Sequence, residues 1–102
     1  MLNATLQSRL QASRQDLRNL CKRYGIRQLA LFGSVLRSDF RPGSDVDVLA
    51  DFEPGCKPGL ALIDIQDELT QLLGYPADLR TPQHLSAYFR ERVLAEAEIV
   101  YP

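Results

Sequence analysis

Residues 26–52 read IRQLALFGSVLRSDFRPGSDVDVLADF, and this stretch decides the fold. It contains two apolar runs, 26–32 and 46–52, and both have the length of a buried strand. The first run ends at a glycine followed by a serine, and the second begins between two aspartates. The intervening residues predict a short helix over 34–38 and then a turn at the Pro-Gly pair 42–43. We therefore expect two strands with a short connection between them.

The sequence on either side alternates helical and extended patterns. Apolar residues recur at intervals of three, four and seven, and glycines follow where two of the helices should end. The expected helices cover residues 2–24, 60–73 and 82 to about 96, and the further expected strands cover 77–80 and 99–101. The last helix should begin after Thr81, as an N-cap, with Pro82 in its first position. The alternation predicts one α/β domain over residues 1–102, with a small mixed β-sheet flanked by helices.

Composition excludes several classes of protein. The chain has 102 residues, with 12 basic and 13 acidic side chains. The near-neutral balance argues against a protein that holds nucleic acid through bulk charge, so we expect no direct nucleic-acid binding. No apolar run approaches the ~20 residues that span a bilayer, and the N-terminus lacks the apolar core of a secretion signal. Two distant cysteines do not suggest a disulfide scaffold or a zinc site, and we expect a cytoplasmic protein.

Two aspartates at the start of the second expected strand are candidate metal ligands. Side chains two positions apart on a strand face the same side, so Asp45 and Asp47 should project together. Two carboxylates held this close repel unless a cation lies between them, and Mg²⁺ prefers such oxygen ligands. The alternative is a solvated strand edge, because the Asp-x-Asp pattern is common. Asp51 should share the face but lie ~13 Å further along, too far to bind the same ion, and we expect it to be solvated.

The Gly33-Ser34 pair adds a candidate phosphate site. A glycine at a strand end that leads into a short helix lets backbone N–H groups approach a phosphate closely. Alone, the pair carries no functional signal, because it is far more typical of an ordinary strand-to-helix turn. Together with the two aspartates it describes a triphosphate site beside a metal site. Asp78, in the expected strand 77–80, is the candidate third carboxylate of a two-metal centre if that strand lies beside the second strand.

Other chemistries fit the sequence less well. A phosphatase nucleophile should follow an apolar strand, whereas here the apolar run follows the Asp-x-Asp pair. An EF-hand loop needs an oxygen ligand where Leu49 stands. Cys21 lies on an apolar helix face and is expected in the core, and Cys56 in a Pro/Gly loop has no partner that would make it catalytic. Three tyrosines are expected to be packing residues rather than acceptors of a modification: Tyr75, Tyr88 and Tyr101. Basic residues on the first helix form either a solvated face or a contact surface, and these are Arg9, Arg14, Arg18, Lys22 and Arg23.

The combined pattern of Gly-Ser, ten residues, Asp-x-Asp and a later strand aspartate resembles the nucleotidyltransferase superfamily that includes DNA polymerase β. Residues 31–37 and 41–49 resemble in particular its small stand-alone branch, the minimal nucleotidyltransferases (MNT proteins) that are paired with HEPN toxins. The resemblance extends over nearly the whole chain, through residues 78–81 and the closing helix and strand. It implies the nucleotidyltransferase (polymerase β-like) fold for this domain.

The resemblance also implies roles for individual residues. Gly33 and Ser34 would hold the β- and γ-phosphates of a nucleotide. Asp45 and Asp47 would ligate two Mg²⁺ ions. Asp78 would ligate the catalytic ion and help to deprotonate the attacking hydroxyl.

Two further residues match the nucleotide site of the family. Arg37 corresponds to the basic residue three positions after the Gly-Ser pair, and Ser44 to the serine before the first metal aspartate. Ser38 departs from the pattern, since the branch often has glycine there, and this should affect the turn only modestly.

By resemblance, the substrate is ATP and the partner is a cognate HEPN ribonuclease toxin. The MNT protein would transfer AMP to a tyrosine hydroxyl of the toxin and so act as its antitoxin, within a hetero-oligomer. The chain is short, which supports a protein acceptor that completes the site. Two alternatives remain open. The chain could neutralise its toxin by binding alone, or it could be the catalytic chain of a small-molecule nucleotidyltransferase of the antibiotic-modifying type.

Overall fold

The four strands form one mixed sheet. The computed structural model describes residues 4–36, 45–82 and 85–102. Within these ranges the strands are β1 (Ile26–Phe32), β2 (Val46–Phe52), β3 (Ala77–Arg80) and β4 (Glu98–Tyr101). Their order across the sheet is β3-β2-β1-β4, with β1 antiparallel to both β2 and β4, and β2 parallel to β3. The expected mixed sheet flanked by helices is therefore confirmed.

The helices are α1 (Ala4–Ala12), α2 (Arg14–Tyr24), α3 (Ala61–Leu73) and α4 (Ala87–Glu96), and a 3₁₀ turn covers Gly33–Leu36. The prediction of one helix over 2–24 is wrong, because the helix is interrupted at Ser13, which separates α1 from α2. The Ser13 hydroxyl donates to the carbonyl of Leu72 near the end of α3, at 3.4 Å. A serine that bonds to backbone outside its own helix favours such a break.

The last helix begins later than its sequence pattern suggested. It starts at Ala87 rather than near residue 82, and its N-cap is Ser86, whose side-chain oxygen accepts a hydrogen bond from the Phe89 N–H at 3.3 Å. Thr81 is buried after the end of β3 and does not cap this helix. A serine oxygen that bonds to the N3 amide is the usual start of a helix, and this one competes successfully with the upstream Thr-Pro pair.

The sheet buries its two faces unequally. One face packs under α1, α2 and α3, where the main core includes fully buried Leu6, Val48 and Leu69. The opposite face carries a small second cluster beneath α4, made of Phe32, Leu49, Leu85 and Val93. Because side chains alternate along β2, its aspartates face the thinly covered side. No helix in the described ranges has the length and apolar content needed to cross a bilayer.

The apolar residues of α4 are less buried than the sequence pattern predicts. Its only buried side chain is Val93, whereas Tyr88 is 75% exposed and Phe89 and Leu94 are about half exposed. The prediction that Tyr88 is a packing residue is wrong, because α4 crosses the narrow second face of the sheet and covers it with one side. Tyr75 and Tyr101 do pack against the main core.

We predict that Leu69→Ala lowers the free energy of unfolding by about 2–5 kcal/mol, because it leaves a cavity in the main core. The matched control is Ile63→Ala on the same helix, where the side chain is 61% exposed and the loss should stay below about 1 kcal/mol. Urea unfolding followed by circular dichroism measures both. Equal losses in the two variants would contradict this placement of α3.

Candidate active site

The two strand aspartates of the sequence pattern lie side by side. Asp47 and Asp78 are register partners on the parallel pair β2 and β3, and both are half-buried. Neighbouring strands are about 4.8 Å apart, and paired residues project from the same face of a sheet. Their carboxylates therefore emerge together from the face opposite the main core.

Asp45 stands at the entrance to the same strand. It directly precedes β2 and is exposed. Pairing with the β3 side begins at the next residue, where the Val46 N–H donates to the Pro76 carbonyl at 2.7 Å. All three acidic residues thus lie at one end of the β2–β3 pair.

Gly33 closes the site on the β1 side. Phe32, the last residue of β1, is the register partner of Asp47, and Gly33 follows it with a φ of 78°. A Cβ atom on Gly33 would overlap Oδ2 of Asp47, so any larger residue would displace that carboxylate. Val35 is fully buried in the 3₁₀ turn that follows and anchors its backbone beside the sheet. The fold thus brings a glycine-initiated turn against the aspartates.

The Asp78 carboxylate forms an ion pair with Arg80 and accepts a hydrogen bond from its Nη2 atom at 3.2 Å. In the described part of the chain, no three His, Cys, Asp or Glu side chains come close enough together to hold one metal ion. Sequence reasoning did not include Arg80, although alternation along β3 places it on the same face as Asp78.

The residues nonetheless fit Mg²⁺ in donor chemistry. This ion is commonly bound by one or two protein carboxylates, with waters and substrate phosphates as the remaining ligands. Asp47 and Asp78 on adjacent strands supply two such oxygens. The Asp78–Arg80 pair is partly exposed on both sides, and surface ion pairs of this kind contribute about 0–1 kcal/mol, so a cation can replace Arg80 at small cost.

Several residues of the sequence prediction fall elsewhere. Arg37 and Ser44 lie outside the described residues. Asp51 shares the face of Asp47 but forms an ion pair with Arg27, so it is neither part of the site nor merely solvated. On the basic side of the first two helices, Arg23 pairs with Glu68 at 2.8 Å. The Tyr24 hydroxyl also donates to Glu68, and this bond, with the help of Arg23, holds the pKa of Glu68 below its usual value.

Neither cysteine belongs to the site. Cys21 is buried in the main core, and burial raises the pKa of its thiol to about 12, which suppresses the reactive thiolate. Cys56 is exposed and lines a cavity of about 480 Å³ at the other end of β2 from Asp47. The expected core position of Cys21 is confirmed, and Cys56 lies away from the aspartates.

We predict that a colourimetric disulfide reagent at pH 8 labels Cys56 rapidly in the native protein and Cys21 only after unfolding. Exposure favours reaction at Cys56, whereas burial shields Cys21 and raises the pKa of its thiol. Mass spectrometry of the labelled peptides identifies the modified thiol. Rapid labelling of both thiols in the native state would show that the main core is open around α2.

The chain belongs to the nucleotidyltransferase domain family, whose model matches residues 14–100. It is therefore a nucleotidyltransferase by family. The protein adenylyltransferase MntA of Thermococcus cleftensis is 35% identical over 96 residues, which span 94% of this chain and 91% of that relative. The resemblance inferred from residues 31–49 is thus confirmed at the level of the family.

Solved structures show the same fold. A protein provisionally assigned as a minimal nucleotidyltransferase superposes with a TM-score of 0.73 at 37% identity, covering 90% of this chain and 92% of that one. A toxin–antitoxin complex containing AMP-PNP gives 0.67 at 17% identity, with coverages of 85% and 71%. A complex of a tri-AMPylated Shewanella oneidensis HEPN toxin with its MNT antitoxin gives 0.55 at 19%, with coverages of 90% and 71%. The last two likenesses concern the fold alone.

We predict that Gly33→Ala reduces nucleotide transfer by at least ~10-fold, or ~1.4 kcal/mol, because the added methyl group displaces the Asp47 carboxylate. Gly55→Ala is the matched control. Its φ is 87°, and open space surrounds the position, so it suffers the same backbone penalty of about 1–2 kcal/mol without touching the site.

Transfer rates and thermal unfolding of both variants provide the measurement. Similar destabilisation with activity lost only in Gly33→Ala is expected. Full activity in Gly33→Ala would show that the contact between Gly33 and Asp47 is unimportant for the reaction.

Proposed function

We propose that this nucleotidyltransferase is an Mg²⁺-dependent protein adenylyltransferase and the antitoxin of a cognate HEPN toxin. It would transfer AMP from ATP to a tyrosine hydroxyl of that toxin. The observation that carries the proposal is the register pairing of Asp47 with Asp78 beside Gly33. The similarity to an MntA protein adenylyltransferase supports the choice of a protein acceptor.

The nucleotide would bind with its phosphates at the 3₁₀ turn. The backbone N–H groups of Gly33 and Ser34 would donate to the β- and γ-phosphates, and Gly33 permits close approach because it has no side chain. Arg37 and Ser44 are proposed as further phosphate ligands. A toxin–antitoxin complex with the same fold contains AMP-PNP, which supports a nucleotide as the substrate.

The carboxylates would hold two Mg²⁺ ions, with Asp45 and Asp47 as ligands of both and Asp78 as a ligand of the catalytic ion. When bound, such ions lower the pKa of an attacking hydroxyl and neutralise charge on the triphosphate. Asp47 and Asp78 themselves keep their oxygens on one face of the sheet, where solvent and an acceptor can reach them. Arg80 would release Asp78 and can then pair with phosphate oxygens.

The chemical step is a single in-line displacement. The tyrosine oxygen forms a bond to the α-phosphorus of ATP, and the bond from that phosphorus to the bridging oxygen of the β-phosphate breaks. The pyrophosphate leaves with the bonding electron pair, and Asp78 takes the proton of the hydroxyl directly or through water. No covalent enzyme intermediate is needed.

The acceptor is proposed to be a partner protein in a hetero-oligomer, and the reaction is placed in the cytoplasm, where ATP is available. The thinly covered face of the sheet leaves Asp78 at its β3 side partly exposed, so a tyrosine presented on another chain can approach it. The fold of the HEPN–MNT complex supports this kind of partner.

We predict that the chain, incubated with Mg²⁺, ATP and the HEPN protein encoded beside it, adds AMP to the toxin. Asp47→Asn and Asp78→Asn should each slow the transfer by at least ~100-fold, or ~2.7 kcal/mol. Asp51→Asn is the matched control, since it lies on the same strand face but pairs with Arg27. Intact-mass spectrometry measures the additions, and removal of Mg²⁺ by a chelator should abolish them.

The same experiment separates the alternatives. Complete neutralisation of the toxin without any mass addition would overturn the enzymatic proposal in favour of an antitoxin that acts by binding. Circular dichroism of each variant serves as the control that shows whether the variant is still folded. Unchanged transfer by Asp47→Asn would show that the carboxylate pair is not the reactive centre.

A further inference from the structure

A groove runs between α4 and the end of β1, directly beside the proposed phosphate site. Its volume is about 240 Å³. Apolar and charged side chains alternate in its walls, which are formed by Phe32, Gly33, Phe89, Arg92, Val93 and Glu96. Because Gly33 belongs both to this groove and to the contact with Asp47, the groove and the carboxylates form one continuous surface.

The wall supplied by α4 is held firmly. Val93 is buried against Phe32 and Leu49 in the second cluster. The Arg90 guanidinium donates to the carbonyls of Pro82 and Leu85, at 2.7 and 3.0 Å, which ties the first turn of α4 to the preceding segment. Phe89, one turn before Val93, lies on this docked helix, and its backbone N–H donates to the N-cap Ser86.

Phe89 has the properties of a stacking residue rather than a core residue. Its side chain is 48% exposed although it lines the groove. A half-exposed aromatic ring on a docked helix, beside a phosphate site, is an arrangement in which bases stack on proteins. Arg92 and Glu96, further along the same flank of the helix, have no ion-pair partner among the residues that the structure describes.

The order of strands separates the two substrates. Asp78, Asp47 and Gly33 form a row across β3, β2 and the end of β1. In an in-line displacement the acceptor and the leaving group lie on opposite sides of the α-phosphorus. An acceptor hydroxyl at Asp78 would therefore approach over β3, and the pyrophosphate would leave toward Gly33. The groove shares Gly33 and lies away from β3, so the acceptor does not occupy it and the rest of the nucleotide can.

We propose that this groove binds the base of the nucleoside triphosphate, with the Phe89 ring stacked on it. The Glu96 carboxylate accepts a hydrogen bond from the exocyclic amino group of the base, which on adenine is a donor. Arg92 lines the same groove and would pair with a phosphate oxygen of the nucleotide. This inference rests on the proposed function, because it assumes that the triphosphate binds at Gly33.

The test measures nucleotide binding without an acceptor, by calorimetry in the presence of Mg²⁺. The probes are a non-hydrolysable ATP analogue and inorganic tripolyphosphate, which has the phosphates but no base. Phe89→Ala should raise the Kd of the ATP analogue roughly 5- to 150-fold, the factor that corresponds to base–aromatic stacking, and should leave that of tripolyphosphate unchanged. Phe89→Trp should restore the affinity. Tyr88→Ala, at the adjacent exposed aromatic outside the groove, is the matched control and should bind both probes as the wild type does.

A second comparison tests Glu96. Purine riboside triphosphate, which lacks the amino group of adenine, should bind the wild type more weakly than ATP does. In Glu96→Ala the two nucleotides should bind equally. Thermal unfolding of each variant shows whether α4 is still docked, and Phe89→Trp keeps the test valid if Phe89→Ala unfolds.

The outcomes distinguish the two proposals. Equal affinity of the ATP analogue for wild type, Phe89→Ala and Tyr88→Ala overturns the base site and leaves the proposed function intact if AMP transfer is observed. If Phe89→Ala raises the KM for the protein acceptor and leaves the nucleotide affinity unchanged, the groove binds the acceptor. That result also overturns the base site. If the wild type binds neither probe, the proposed function fails, and the base site fails with it.

Discussion

The parallel pairing of β2 with β3 is the constraint on which the candidate site depends. It places Asp47 opposite Asp78, while the antiparallel pairing on the other side of β2 places Phe32 opposite the same aspartate. Because side chains of paired residues project from one face, three strands contribute to a single row. A shift of either register by one residue would turn Asp47 and its neighbours to opposite faces and destroy the site.

One face of the sheet carries the main core, and the other face carries the candidate site. The face under α1, α2 and α3 carries the main core, with most of the fully buried side chains. Among the described residues, the buried cluster on the other face is small, with four members shared between the sheet, α4 and the segment before it. A thin cover leaves the carboxylates within reach of solvent and substrates, and it leaves the aromatic side chains of α4 partly exposed. A small domain can expose reactive groups in this way because its stability comes from the opposite face.

The backbone pattern of the site could be predicted from local sequence, but its side-chain partners could not. Strands 26–32 and 46–52 follow from apolar runs of strand length, and residues 77–80 form the expected short strand. The break at Ser13 was missed because its hydrogen bond reaches Leu72, 59 residues away. The exposure of Tyr88 and Phe89 was missed because helix periodicity does not reveal how wide a surface the helix covers.

The sequence by itself determined the class of protein, because the Gly33-Ser34 pair and the Asp45-x-Asp47 pattern at their spacing resemble the nucleotidyltransferase family, to which the chain belongs. It also determined where the sheet and helices lie along the chain, because periodicity and turn residues are local properties. The tertiary structure alone decided that Asp78 stands in register with Asp47 and that Arg80 forms an ion pair with Asp78. It also decided that α4 forms a groove next to Gly33. These depend on the order and direction of strands and on contacts between distant residues, which local sequence does not encode.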